Sequence, residues 1–420
     1  MTSRIPCLVA ALAALSATPL HAQADAYLER ARAILRESPL IDGHNDLPWE
    51  VRIHGHFSFD SLDISGHTPN MTDIARLRAG GVGGQFWSTY TPVEFAGHGA
   101  ARAGFEQDDV VHRMVARYPD TFEMASTADD VMRIFRSGKI ACLIGLEGGH
   151  MIENSLGLLR AFYRDGARYM TLTHSSNTDW ADASTDSMVH GGLTRFGEEV
   201  VHEMNRLGML VDISHVSDST MWDVLRVTEA PVIYSHSTTR HYAPHPRNVP
   251  DDIARALAEN GGVIMVTFVT SFNYRPTYDW NQQQDSIRRA SGAEAAQAWA
   301  QAHPMPLPDL SDIADRIEYL RGVVGIDHIG LGSDFDGIES TPRGLEDVSK
   351  FPYLLAELLR RGWSDGDIKK LAGLNILRVM REVEAVAARL QRERGPSTAQ
   401  IEILDHWETS PPWEGPVERH

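Results

Sequence analysis

Two kinds of segment alternate along the chain. Short, almost wholly apolar runs occur at Leu40–Asp46, Gly83–Ser88, Ile140–Glu147, Tyr169–Thr173, Met209–His215, Val232–His236, Gly262–Phe268 and Ile329–Asp334. Longer stretches between them carry apolar residues at helical spacing. These predict helices over Asp73–Arg78, Glu94–Arg117, Ala128–Phe135, Ser155–Tyr163, Arg195–Arg206, Asp218–Val227, Asp251–Ala258 and Leu310–Val324. A short amphipathic helix, Ala26–Ser38, precedes the first strand, and two or three more close the chain up to about Arg392. Continuous apolar strands alternating with helices describe a parallel sheet buried on both faces. Eight such units fit a TIM-type (β/α)8 barrel, whose active sites lie at the C-terminal ends of the strands. An open doubly wound sheet is the alternative, but it gathers ligands at one switch point. Here six strands around the chain end in ionisable residues: Asp46 (with His44), Glu147, His174, His215, His236 and Asp334. That ring of charged ends selects the barrel.

The barrel domain is expected over residues 26–395. Residues 277–305, rich in Gln and Ala, form an insertion after the seventh strand, expected to act as a lid or as the contact of a homodimer. Residues 1–22 read as a cleaved secretory signal peptide: Arg4 is the only charge before Asp25, Leu8–Ala17 is a short apolar core, and small residues follow at Ala22 and Ala24. The expected location is therefore exported, periplasmic or secreted. Loss of the leader removes Cys7 and leaves Cys142 alone, so no intrachain disulfide can form. Residues 396–420 are a polar tail without the hydrophobic end of a lipid anchor, and no later segment is long and apolar enough to span a bilayer.

Composition is ordinary for a globular protein, at 42% hydrophobic and 23% charged residues. The net charge of -18 argues against nucleic acid and against anionic lipid as partners.

The chemistry begins at His44 and Asp46. Two apart on a strand, their side chains project to the same side, and imidazole and carboxylate are ordinary zinc ligands. Barrel geometry would converge these two with Glu147, His215 and His236. Three imidazoles and two carboxylates exceed what one four-coordinate zinc uses while keeping an open position. They suit two metal ions sharing a carboxylate, and a hydroxide held by both is a potent nucleophile at neutral pH. A carboxylated lysine is the other common bridge. The only lysines are Lys139, at the wrong end of its strand, and Lys350, Lys369 and Lys370, all in helical segments, so Glu147 is the available bridge.

The motifs His44-Asn45-Asp46-Leu47-Pro48-Trp49, Gly145-Leu146-Glu147-Gly148, Leu172-Thr173-His174, Ile213-Ser214-His215, Tyr234-Ser235-His236 and Gly332-Ser333-Asp334-Phe335-Asp336-Gly337 occur in that order. Together they resemble the membrane (renal-type) dipeptidase family of zinc peptidases, on the barrel of the metal-dependent hydrolase superfamily. The resemblance implies two Zn2+ per chain: His44 and Asp46 on one, His215 and His236 on the other, Glu147 bridging. It further implies that His174 contacts the scissile carbonyl and that Arg247 holds the substrate's free carboxylate. Asp334 would move a proton from the attacking water to the leaving amine. The implied substrate is a small dipeptide with a free C-terminal carboxylate, with C-terminal D-residues and β-lactam amides as extensions. The chain departs from the pattern at Gly373-Leu374-Asn375, where the family has paired glycines, and around Val266–Val269.

Two apparent motifs are decoys. Gly362-Trp363-Ser364-Asp365-Gly366 matches a serine-hydrolase elbow but follows a helical run, so Gly362 reads as a helix end and Ser364 as the next N-cap. His202-Glu203-Met204-Asn205-Arg206 lacks the second histidine of a zincin helix. Asp336 and His150 fall near the site without an expected ligand role. The rival functions are another metal-dependent amidohydrolase reaction on the same barrel and a catalytically silent periplasmic binding protein.

Overall fold

The computed structural model describes residues 20–406. Its strands are β1 (Leu40–Asn45), β2 (Val82–Ser88), β3 (Phe122–Met124), β4 (Ile140–Glu147), β5 (Ala167–Thr171), β6 (Leu210–Asp212), β7 (Ile233–Ser237), β8 (Val263–Val266) and β9 (Ile329–Leu331). They pair in the order β2-β1-β9-β8-β7-β6-β5-β4, and β2 pairs with β4 to close a parallel barrel of eight strands. The sequence expectation of a TIM-type barrel holds. The short β3 is an addition, lying alongside the first residues of β4.

Helices connect successive strands and cover the barrel with apolar faces, as their periodicity dictates. Asp218–Val227 and Leu310–Val324 begin and end where the sequence pattern places them. The insertion after β8 is helical, Arg275–Ser291 followed by Ala293–Ala302, and the two helices pack on each other through Trp280 and Trp299. The first decoy resolves as expected: Gly362 has φ 92°, and Ser364 caps the next helix in a reciprocal box with Asp367. Glu203 of the second decoy is a buried ion-pair partner of Arg160 and Arg206, on the outside of the barrel.

The chain ends differ from the sequence reading in extent. The first helix runs from Leu20 to Glu37, so it includes the last residues of the expected leader; residues 1–19 lie outside the described residues. Residues 396–406 of the expected tail follow the helix Arg195–Leu207: Ile401 is buried and the Asp405 carboxylate accepts from the Phe196 N–H. The remainder of the tail, 407–420, also lies outside the described residues. Among the described residues no helix is long and apolar enough to cross a membrane, and Cys142 is a buried free thiol.

Two glycines shape the barrel mouth. A Cβ at Gly43 would lie 2.4 Å from the Ser235 carbonyl oxygen, and one at Gly332 only 1.8 Å from it. Only glycine lets β1 and β9 approach β7 this closely. The approach leaves the rings of His44 and His236 with centroids 3.9 Å apart.

Candidate metal centre

The strands stop sooner than their apolar runs suggest, and loops finish the delivery. His174, His215 and Asp334 lie beyond the last residues of β5, β6 and β9, while His44, Glu147 and His236 are within their strands. His215 and Asp334 both have φ 69°, the left-handed region that costs a non-glycine residue strain. Asp46 departs from the expectation of a continuous strand: β1 ends at Asn45, and Asp46 precedes the helix Leu47–Ile53. Its carboxylate still meets His44, with Oδ2 3.4 Å from Nε2.

The side chains converge on Glu147. Its Oε2 lies 3.5 Å from His44 Nε2, and its Oε1 lies 3.0 Å from His215 Nε2 and 3.4 Å from His236 Nε2. His174 Nε2 is 3.7 Å from the same Oε1. Donor atoms of His44, Asp46 and Asp334 form a further close group. These contacts are too dense to be an ordinary polar network: His215 Nε2 and His236 Nε2 are only 3.0 Å apart, and the buried His44 Nε2 has no hydrogen-bond partner. Nitrogen lone pairs and carboxylate oxygens facing one another at this range fit a cation among them.

Electrostatics agrees with that fit at His215, His236 and Glu147. At His44, burial would lower the imidazole, but Tyr169, Glu147 and Asp46 raise it well above the ordinary histidine value, an effect that a cation beside it would oppose. Burial, reinforced by Arg247 and by neighbouring imidazoles, holds His215 and His236 well below the ordinary histidine value, in the neutral form a metal requires. Burial would raise Glu147, but His44, His174 and His215 outweigh it and keep the carboxylate ionised. Burial pushes Asp334 up to about 8, with Asp46 and Glu147 adding to the effect; cations beside it would act in the opposite direction.

The site opens into a cleft of about 550 Å³, lined by Asp46, Glu147, His174, His215, His236, Arg247 and Asp334. Arg247 is almost fully buried, its guanidinium 5.4 Å from the Phe272 ring centre. It donates to Ser237 Oγ and to the His236 carbonyl, both at 3.3 Å. Burial lowers it to about 10, so it remains a cation at neutral pH. The lining also includes Trp49, Glu50, Tyr90 and Asp336, with the Tyr90 ring 4.7 Å from that of His174. His150 instead turns its Nε2 to the Thr91 carbonyl at 2.9 Å.

All eight residues singled out from sequence thus border one cleft or its floor. Sequence reasoning missed the layer behind them. Asp212 Oδ2 accepts from Thr171 and Ser235 hydroxyls, each at 2.6 Å, and Ser235 Oγ lies 2.8 Å from His236 Nδ1. Asp42 takes the N–H and hydroxyl of Ser333, each at 2.7 Å. Tyr169 meets His44 Nδ1 at 2.8 Å. An aspartate inside an otherwise apolar run, as at Leu210-Val211-Asp212-Ile213, was the available signal.

Residues 28–394 match the family of membrane dipeptidases, peptidase family M19. The chain is 44% identical over 395 residues to Dipeptidase verJ of Clonostachys rogersoniana, covering 91% of this chain and 94% of that protein. It is 40% identical over 381 residues to Dipeptidase 3 of Rattus norvegicus, covering 90% of this chain and 70% of that protein. Among solved structures, the probable dipeptidase PvdM of Pseudomonas aeruginosa has the same fold, with a TM-score of 0.77 at 24% identity. That match covers 86% of this chain and 100% of PvdM.

Proposed function

Since this chain belongs to the membrane dipeptidase family of metal-dependent peptide hydrolases, we propose that it is a binuclear zinc dipeptidase for substrates with a free C-terminal carboxylate. The observation that carries the proposal is the orientation of Glu147. Its two oxygens face different imidazoles, one toward His44 and the other toward His215 and His236. That is the arrangement a bridging carboxylate needs. His44 and Asp46 would hold one ion with Glu147, and His215 and His236 the other. Zinc there would supply Lewis acidity, polarising an amide carbonyl and making water a stronger acid.

The chain's own groups would do the rest. Arg247 is a buried cation facing the cleft, and among the described residues it forms no ion pair. Such a group is costly to leave uncompensated, and a substrate carboxylate would compensate it with paired hydrogen bonds. His174, at the cleft wall, would donate to the carbonyl oxygen as charge develops on it. Asp334 would accept the proton of the attacking water and return it to the leaving nitrogen. The cleft volume suits a dipeptide rather than a folded protein. Export through the N-terminal leader is part of the same proposal, and the mature chain would begin at Gln23 or Asp25.

Metal analysis of the purified mature protein, with turnover of a dipeptide panel before and after chelation, tests this reading. About two zincs per chain, and activity that dies on chelation and returns with zinc, are expected. A protein that turns over dipeptides with a single tightly held ion would overturn the binuclear assignment. N-terminal sequencing of protein recovered from outside the cytoplasm tests export.

A further inference from the structure

The imidazoles around Glu147 are not held alike. His236 Nδ1 faces Ser235 Oγ, whose hydroxyl hydrogen is committed to Asp212 at 2.6 Å. The serine oxygen must therefore accept from Nδ1–H, which leaves the His236 Nε2 lone pair toward the cleft. His44 has a different backing. Its Nδ1 lies 2.8 Å from the Tyr169 hydroxyl, both side chains are fully buried, and their rings are within 19° of parallel.

The barrel makes room for this tyrosine. Gly145 on β4 pairs with Tyr169 on β5, and a Cβ at Gly145 would sit 2.1 Å from the Tyr169 ring. Phe86 packs on the ring with centroids 5.2 Å apart. Phenylalanine would fill this apolar slot equally well. The hydroxyl is therefore the part that packing leaves unexplained, and its one hydrogen-bond partner among the described residues is His44.

We propose that Tyr169 is a positioning residue for one metal ion: its hydroxyl oxygen accepts from His44 Nδ1–H, fixing the ring and the tautomer that present Nε2 beside Asp46 and Glu147. This rests on the binuclear reading above. Partners behind metal-bound histidines commonly hold a tenfold to hundredfold share of metal affinity, about 10–100-fold on mutation. With zinc at Nε2, the hydroxyl has to accept, so loss of the oxygen frees the ring to rotate and to adopt the wrong tautomer.

The test is zinc retention by the full mature chain under graded chelator competition, for wild type and Tyr169→Phe. One of the two ions should be held about 10–100-fold more weakly in the variant, the other unchanged, and the metal-free forms should unfold at the same temperature. Phe86→Leu, which trims packing on the same ring but leaves the hydroxyl, should keep both affinities. Nitrogen-15 NMR of the zinc-loaded wild type reads the point even if the variant does not fold. The His44 Nδ1–H, assigned by its absence in His44→Ala, should be a downfield, slowly exchanging signal with a through-space contact to the Tyr169 ring. A His44 Nδ1–H that exchanges rapidly with solvent and shows no contact with Tyr169 overturns the inference. So does a Tyr169→Phe chain that keeps both ions at wild-type strength, or one that loses both together with stability of the metal-free form. A wild type that binds fewer than two ions would instead overturn the binuclear reading.

Discussion

Arg247 is the residue whose position folding alone explains least. Its guanidinium is buried against Phe272, fixed by two hydrogen bonds to Ser237 and His236, and turned toward the cleft. If it binds the substrate carboxylate, Arg247→Ala should lower kcat/KM on free dipeptides about 10–100-fold, the equivalent of one to two charge-assisted hydrogen bonds. Dipeptide amides, which lack the carboxylate, should lose little; an equal loss on both substrates would sink the assignment. Asp334 makes the complementary case. If Asp334 carries the proton, Asp334→Asn keeps the shape and removes that capacity, so kcat should fall by about 10²–10⁴ while zinc content is retained. Loss of zinc along with activity would show that Asp334 serves as a ligand, a role its closeness to His44 and Asp46 would accommodate.

At the scale of elements, the strands were legible because a parallel strand buried on both faces leaves an unbroken apolar run. Where a segment has no such run it was missed: β3 is only Phe122–Met124. The helix Leu47–Ile53 was hidden by Pro48, which reads as a break although proline is favoured in a first turn. The side chains that converge on Glu147 were legible because each ends or follows a run, whereas Arg247, in the loop His245-Pro246-Arg247-Asn248, came only with the resemblance. Tyr169, Ser235 and Asp212 were not legible, since their roles depend on contacts between strands that a linear pattern does not display. Glu203 shows the reverse, a suggestive motif whose role is structural. Its carboxylate ties the helix Arg195–Leu207 to Arg160 and to the Ser397 N–H. Burial would raise this carboxyl, but Arg206 and Arg160 hold it below its ordinary 4.5. A carboxyl lowered in the fold contributes stability above its unfolded value and loses it as pH falls through its folded one. Glu203→Gln should therefore cost about 2 kcal/mol at neutral pH. The gap to wild type should narrow between neutral pH and an acid pH below 4.5, where the folded carboxyl takes up its proton. Denaturant midpoints at the two pH values measure this, and a pH-independent gap would point to packing instead.

For the whole molecule, the metal site and the hydrophobic core are separable contributions. The apolar clusters inside and around the barrel involve most of the strands and helices and need no ion. The site draws on β1, β4, β7 and the loops after β5, β6 and β9, so ions there would link strands from both ends of the sequence. Without cations, burial pushes Asp334 up to about 8, with Asp46 and Glu147 adding to the effect, a crowding of carboxyl groups that bound ions would relieve. Ligands that bind only the native state stabilise it by mass action, about 2.7 kcal/mol per site at a hundredfold excess over Kd. Two sites together would contribute about 5 kcal/mol. Unfolding entropy near 2.1 cal/mol/K per residue, over a domain of this length, converts that to a shift of about 6 °C. Chelation should therefore lower the unfolding temperature by about that amount, while far-UV circular dichroism below the transition stays unchanged because the core persists. Calorimetry with and without chelator, followed by zinc addition, measures both. An unchanged midpoint in a protein shown to have lost its zinc would mean that the cluster around Glu147 is stable without ions.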